Sequence, residues 1–265
     1  MQPGLYPDLP ADVYHSSKGV SKSMLDRLSR SPAHLKYGQA EPTPAQAFGT
    51  AVHCAILEPE AFEQRYYLGT EARRGSKEWA RLEEQADGRE LLKPADWGTC
   101  LAMRDSVYAH PAASQLLSEG LAEASAFAVD EETGLLVKAR PDYARLDIRA
   151  LVDLKTCLDA SPSGFARSAG NFLYGVQAAL YLDVYSQAAG VPMEHFVFIA
   201  IEKTPPFGVG VYTLTQAAID VSRQAYRRHL RLYAECLATD RWPCYSERVV
   251  EIDLPSWCYA GLEIE

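Results

Sequence analysis

The chain has 265 residues, of which 48% are hydrophobic and 23% charged, and its formal net charge is −9 at pH 7. It can bury a sizeable core, but no apolar run approaches the roughly 20 residues of a membrane span and the amino terminus lacks a basic region followed by an apolar signal, so a cytoplasmic, non-membrane protein is expected. The acidity argues against a broad polyanion-binding surface, since affinity for a nucleic-acid backbone comes from basic side chains on phosphate, although a bound cation reverses the sign locally.

Residues 1–20 read as an irregular lead-in rich in Pro and Gly. Ser21 or Ser23 then caps a helix through Met24, Leu25 and Leu28 to Arg30, stopped by Ser31 and Pro32. Its polar side offers Lys22, Arg27 and Arg30, either a solvated face or a contact for a phosphate backbone. After the loop EPTPAQ a second helix is expected over about 46–57, ended by Glu58 and Pro59. Gly49 and His53 lie four apart and share one of its faces.

From Thr70 to Trp97 the chain is polar and charged. Arg73, Arg74, Gly75 and Lys77 look like a flexible basic loop before a helix, either an exposed connector or an arm that touches DNA. Helices follow over about 94–110 and from Pro111 through Leu117. Beyond Gly120 the pattern alternates, with a strand over about 124–129 and a turn at Glu132, Thr133 and Gly134. Glu123 opens that strand, as an additional metal-site or supporting acid or as a solvated strand end.

The stretch LLVKARPDYARLDIRALVDLKTC, residues 135–157, reads as two strands joined by a turn. Period-two alternation puts Val137 and Ala139 of the first strand, and Val152 and Leu154 of the second, on an apolar face. Arg140, Asp142, Asp153 and Lys155 then share the other. Two carboxylates and a lysine at adjacent strand ends suit a divalent cation, because hard oxygen ligands hold it while an ammonium group orients a water and offsets charge on phosphorus. The spacing alone is weak: an acid two positions before a lysine is expected about once by chance at this composition, and Asp153 is the only one.

A loop and short helix follow, then a helix over 174–189 ended by Gly190, with Gln177 and Tyr181 four apart on one face. Strands over 196–201 and 209–214 flank TPPFG. A long helix over about 216–238 carries the most basic stretch, Arg223, Arg227, Arg228 and Arg231, either an exposed face or a subunit contact. The tail carries one expected strand around 248–252 and an apolar anchor. The six cysteines are scattered without a CxxC pair, which counts against a cluster on closely grouped thiols.

Pro141 and Asp142, a spacer, then Asp153, Leu154 and Lys155 resemble the PD-(D/E)XK nuclease signature. His53 within GTAVHCAILEP and the QxxxY pair Gln177 and Tyr181 resemble the flanking motifs of RecB-type nucleases. With the opening YHSSKGVSKSMLDRLSRSPAHLKYG and the closing WPCYSERVVEIDLPSW, the chain is similar to the nuclease module of phage-type RecE exonucleases. The resemblance implies an α/β fold: a restriction-endonuclease-like core with a central mixed β-sheet flanked by helices. One domain over 1–265 is expected, with a mainly helical part over 1–120 carrying His53, a catalytic core over 121–240 and a tail over 241–265.

It also implies a Mg²⁺-dependent exonuclease, supported by Mn²⁺ as well, that resects linear double-stranded DNA from 5′ to 3′ and leaves 3′ overhangs. A homo-oligomeric ring and a single-strand annealing partner belong to the same expectation. His53, Asp142, Asp153 and the Leu154 carbonyl would hold the metal, Lys155 would activate water, and Gln177 and Tyr181 would orient the strand. Arg140 would steady the site or touch phosphate. The alternatives are a RecB-type single-strand exonuclease or endonuclease, and a non-catalytic DNA-binding or assembly module.

Overall fold

A computed structural model of the protein describes residues 1–39 and 43–259. The lead-in is not irregular: it holds a strand β1 (Gly4–Tyr6) and a helix α1 (Ala11–Ser16). β1 pairs with residues 125–127, and Tyr6 meets Phe127 edge-on at 5.6 Å. A strand this short is defined by the partner it meets and not by its own composition.

The following helices obey their local signals. In α2 (Lys22–Arg30) the Ser21 hydroxyl accepts from the Met24 amide, and Leu25 and Leu28 are buried. Ser31 ends it and caps α3 (Pro32–Tyr37). Thr43 and Gln46 form a reciprocal capping box at the start of α4 (Pro44–Leu57), and α5 (Pro59–Arg65) follows. Several of these helices open on proline, whose missing N–H costs nothing at a first helical position. α4 buries Val52, Ala55 and Ile56 against Met103 and Val107 of α7 (Pro94–Ala109). Burial of Ile56 alone stabilises this contact by about 2 kcal/mol, so the helix that carries His53 is anchored.

The polar connector is a folded unit. β2 (Tyr66–Leu68) and β3 (Glu90–Leu92) pair in parallel around α6 (Lys77–Ala86), with Trp79 buried beneath. Its charges face out, which is why the stretch looks like a loop. α8 (Pro111–Leu116) then leads to the sheets.

Five strands form the central mixed sheet in the order β10-β9-β8-β7-β4: β4 (Leu121–Ala122), β7 (Tyr143–Arg145), β8 (Ala150–Cys157), β9 (His195–Glu202) and β10 (Val209–Thr213). β8 and β9 run parallel, joined through α9 (Pro162–Asn171) and α10 (Tyr174–Ala189), and the other neighbours are antiparallel. A second sheet has the order β1-β5-β6, with β5 (Ser125–Val129) and β6 (Leu136–Ala139). Side chains on β9 alternate: Phe196, Phe198 and Ala200 pack with α10 and with α11 (Gln216–Thr239), while Val197, Ile199 and Ile201 pack toward α4 and α7. β8 follows the same period, with Leu151 on the α10 side and Val152 and Leu154 on the other.

Two further sequence expectations need correction. The stretch 135–142 is not one strand beside β8. Residues 136–139 pair with β5 in the second sheet, the chain breaks at Pro141, and β7 takes the place next to β8. Pro141 has no N–H to continue a ladder, so Asp142 sits in the gap between two sheets. The tail strand over 248–252 is also absent: those residues are in no strand, and Val249, Ile252 and Leu254 are exposed. Alternation supplies a strand's pattern but not an edge to pair with.

Candidate metal centre and cleft

His53 comes from α4, Asp142 from the break at Pro141, and Glu123 from the corner between β4 and β5. Glu123 has a φ of 51°, in the left-handed region, and its amide donates to the Asp142 carbonyl at 2.9 Å. The strained corner, worth about 1 kcal/mol or more, holds the two acids side by side. His53, Glu123 and Asp142 each offer one ligand atom, and these atoms all lie within 4.8 Å of one another. Asp142 Oδ1 lies 3.4 Å from His53 Nδ1, while Oδ2 accepts from the Leu154 amide at 2.6 Å, where the sheet has no β7 residue to pair with it.

Asp153 and Lys155 point from β8 toward α10. The Gln177 amide donates to Asp153 Oδ1 at 2.5 Å. The Lys155 ammonium lies against Oδ2 as a buried ion pair. Asp153 is therefore beside the three-residue group and not within it. The expected ligand set was His53, Asp142, Asp153 and the Leu154 carbonyl, with Glu123 as a candidate further acid; here Glu123 is the acid grouped with His53 and Asp142. The reason is the period of β8: residue 153 faces α10, and the Pro141 break turns Asp142 toward α4 and β5.

Electrostatics set the cluster apart. Burial would lower the His53 imidazole, but the Asp142 carboxylate, helped by Asp153, raises it to about 8. Burial opposes ionisation of Asp142, yet His53, Lys155 and the Leu154 amide hold it below the usual carboxylate range. For Asp153, burial outweighs the Lys155 charge, the Asp142 charge adds to it, and the group rises to about 6. Glu123 is raised by burial and by Asp142, against the pull of Arg140. Burial would lower Lys155, but Asp153 and Asp142 keep it above its ordinary value, so it is an ammonium at neutral pH. Three acids thus face Arg140, Lys155 and a proton on His53. The proton occupies the role of a cation. A nitrogen and two carboxylates converging on a point, with the Asp153 carboxylate beside them, fit a divalent metal ion.

Two openings of about 840 Å³ each meet at His15, Lys155 and Tyr174. One is lined by His53, Glu123, Arg140 and Leu154. The other carries Lys18, Lys22, Arg27 and Lys138, with Gln177 and Tyr181 in its wall. Lys138 donates to the carbonyls of Tyr14 and Ser17 and so anchors α1 instead of facing a ligand. Arg140 donates through Nε to Glu123 and through Nη1 to the Leu9 carbonyl and Ser125, which makes it a brace for Glu123.

Gln177 and Tyr181 are buried, the first on Asp153 and the second edge-on to Phe196 at 6.1 Å. Both also border the second opening. Arg73, Arg74 and Lys77 line neither opening, and the Arg74 guanidinium sits over Trp79. The basic stretch of α11 is mostly matched within the chain: Arg223 pairs with Asp183, Arg227 with Asp130 and Arg231 with Glu132. Tyr174 escaped the sequence reading. It lies one helical turn before Gln177, a spacing that places it on the same face.

A family described as a PDDEXK-like domain of unknown function (DUF3799) matches residues 21–254, a span that contains every residue of the cluster. The crystal structure of a candidate exonuclease from Eubacterium rectale is similar over 96% of this chain and 99% of that one, with a TM-score of 0.62 at 16% identity. At that identity the likeness shows the fold alone. A phage-related exonuclease from Haemophilus somnus 129PT covers 89% of this chain and 91% of its own at a TM-score of 0.39 and 8% identity, too loose to argue from. No curated protein matches the sequence.

Proposed function

The chain belongs to the DUF3799 family of PDDEXK-like domains, and on that premise we propose a RecE-like exodeoxyribonuclease that uses Mg²⁺ or Mn²⁺ to resect linear duplex DNA from the 5′ end. The observation that carries this reading is the convergence of His53, Glu123 and Asp142 within 4.8 Å, beside a buried Lys155 ammonium. Residues 1–265 are taken as one nuclease domain, because α4 from the helical part supplies His53 to acids of the sheet region.

In this reading His53, Glu123 and Asp142 hold the ion, with Asp153 Oδ2 and the Leu154 carbonyl as further donors. A divalent cation bound there would polarise the scissile phosphate and make water a better nucleophile. Lys155 orients that water and offsets negative charge on the phosphate oxygens. Gln177 keeps Asp153, and through it Lys155, in place, and Arg140 does the same for Glu123. Lys18 and Arg27 contact the DNA backbone along the second opening. The working form is a homo-oligomeric ring, in which such modest basic patches from several copies converge on one channel and offset the overall charge of −9. A single-strand annealing protein takes up the 3′ overhang.

The test uses linear duplexes labelled at the 5′ or the 3′ end, with a closed circle as control, each incubated with and without Mg²⁺ or Mn²⁺. Metal-dependent early release of the 5′ label with the circle intact is expected. Cutting of the circle, or of single strands only, would favour a RecB-type enzyme. No cleavage and no metal binding would leave a non-catalytic DNA-binding module.

A further inference from the structure

Phe172 closes α9 and is 60% exposed, although most aromatic rings near the site are buried. A single exposed aromatic is ordinary on a protein surface. This one is the outer end of a stack. Its ring lies 5.8 Å from Tyr174 at 24°, and Tyr174 lies 5.6 Å from the buried Phe198 at 26°. The near-parallel rings run from the core to solvent, and the outer face of Phe172 is open.

The stack is coupled to the site. Lys155 Nζ stands 4.8 Å over the Tyr174 ring, and Tyr174 borders both openings. The backbone that presents Phe172 is held: its amide donates to the Ser168 carbonyl, its carbonyl accepts from Lys22 Nζ at 2.8 Å, and Leu173 turns the chain with a φ of 53°. Leu173 is the turn between α9 and α10, so the helix junction fixes where Phe172 stands. Lys18 and Arg27 line the opening beside the stack, together with Lys22, whose ammonium is paired with Asp26. An open aromatic face next to cations is complementary to a nucleotide, whose base stacks while its phosphate is neutralised.

We propose that Phe172, backed by Tyr174, is a stacking platform for the unpaired nucleobase next to the phosphate that is cut. The assignment rests on the nuclease reading and adds a positioning residue to it. It predicts base-dependent and sequence-tolerant binding, because every base has a π-face.

The experiment compares the full-length wild type with Phe172→Ala and Phe172→Trp on DNA oligonucleotides bearing 2-aminopurine or an abasic site in the terminal nucleotides. Wild type and Phe172→Trp should quench 2-aminopurine, and Phe172→Ala should not. Phe172→Ala should raise KM about tenfold, with the smaller part of its effect in kcat. Removing the base should bring the wild type to the level of Phe172→Ala and leave that variant unchanged. A merely structural role would give independent, multiplying effects of variant and abasic site, and that result overturns the platform, as does quenching that survives in Phe172→Ala. If the wild type cuts no DNA with Mg²⁺ or Mn²⁺, the nuclease reading fails by itself, while quenching on binding still decides the platform.

Discussion

Two charged regions of this molecule are built on opposite rules. Where α10 and α11 meet the β5–β6 turn, cations and acids are matched: Arg223 and the Tyr226 hydroxyl on Asp183, Arg227 on Asp130, Arg231 on Glu132. Around β7 and β8, by contrast, acids crowd acids. Glu123 and Asp153 are raised by burial and by Asp142, and His53 holds a proton above its usual range. Matched charges are complete within the fold. Buried acids that shift one another's protonation cluster at functional sites, which is the physical ground for reading the second region as a candidate site.

The largest expected effect separates the two. Asp153→Asn keeps the shape and a Gln177 acceptor but removes a charge from the crowded region. DNA cleavage should fall by about 10²-fold or more, with the melting temperature changed by no more than a few degrees. Near-normal cleavage of end-labelled duplex by this variant would remove Asp153 from the mechanism.

The mirror experiment is Asp183→Ala. It strips Arg223 and Tyr226 of their shared acceptor at a half-buried position, which should lower stability by about 2 kcal/mol in urea unfolding and leave cleavage intact below the melting transition. Loss of activity without loss of stability would break the comparison.

The third effect follows from His53. Its folded value of about 8 lies above the unfolded value of 6.5, so the protonated form is what the fold favours. In the metal-free protein this stabilisation is fully present below pH 6.5 and is lost as pH rises through 8, a change of about 2 kcal/mol. Metal affinity should move the other way, because an ion must displace that proton, and should strengthen from pH 6 to about 8 before levelling. Calorimetric titration of Mn²⁺ against pH checks this: a flat affinity together with no proton release would detach His53 from the metal.

Much of the arrangement was legible in the sequence for local reasons. Ser31 with Pro32, and Gly190, mark helix ends because capping and left-handed turns depend on a few adjacent residues. The period of β8 puts Asp153 and Lys155 on one face, and four-residue spacing puts Gln177 and Tyr181 on one side of α10. β1 and the β2–β3 pair were invisible, since short strands are made by their partners. The 248–252 segment failed in the opposite sense, with a strand's alternation and no edge to receive it.

The residue types and their order determined that carboxylates, a lysine and a histidine would occupy strand ends and a helix face, because backbone periodicity is local. Only the tertiary structure decided which of them meet. Pro141 splits one expected strand between two sheets, and the resulting gap brings Glu123 and not Asp153 into the group with His53 and Asp142. Which faces of two sheets oppose each other is set by packing across the whole core, and no window of sequence contains it.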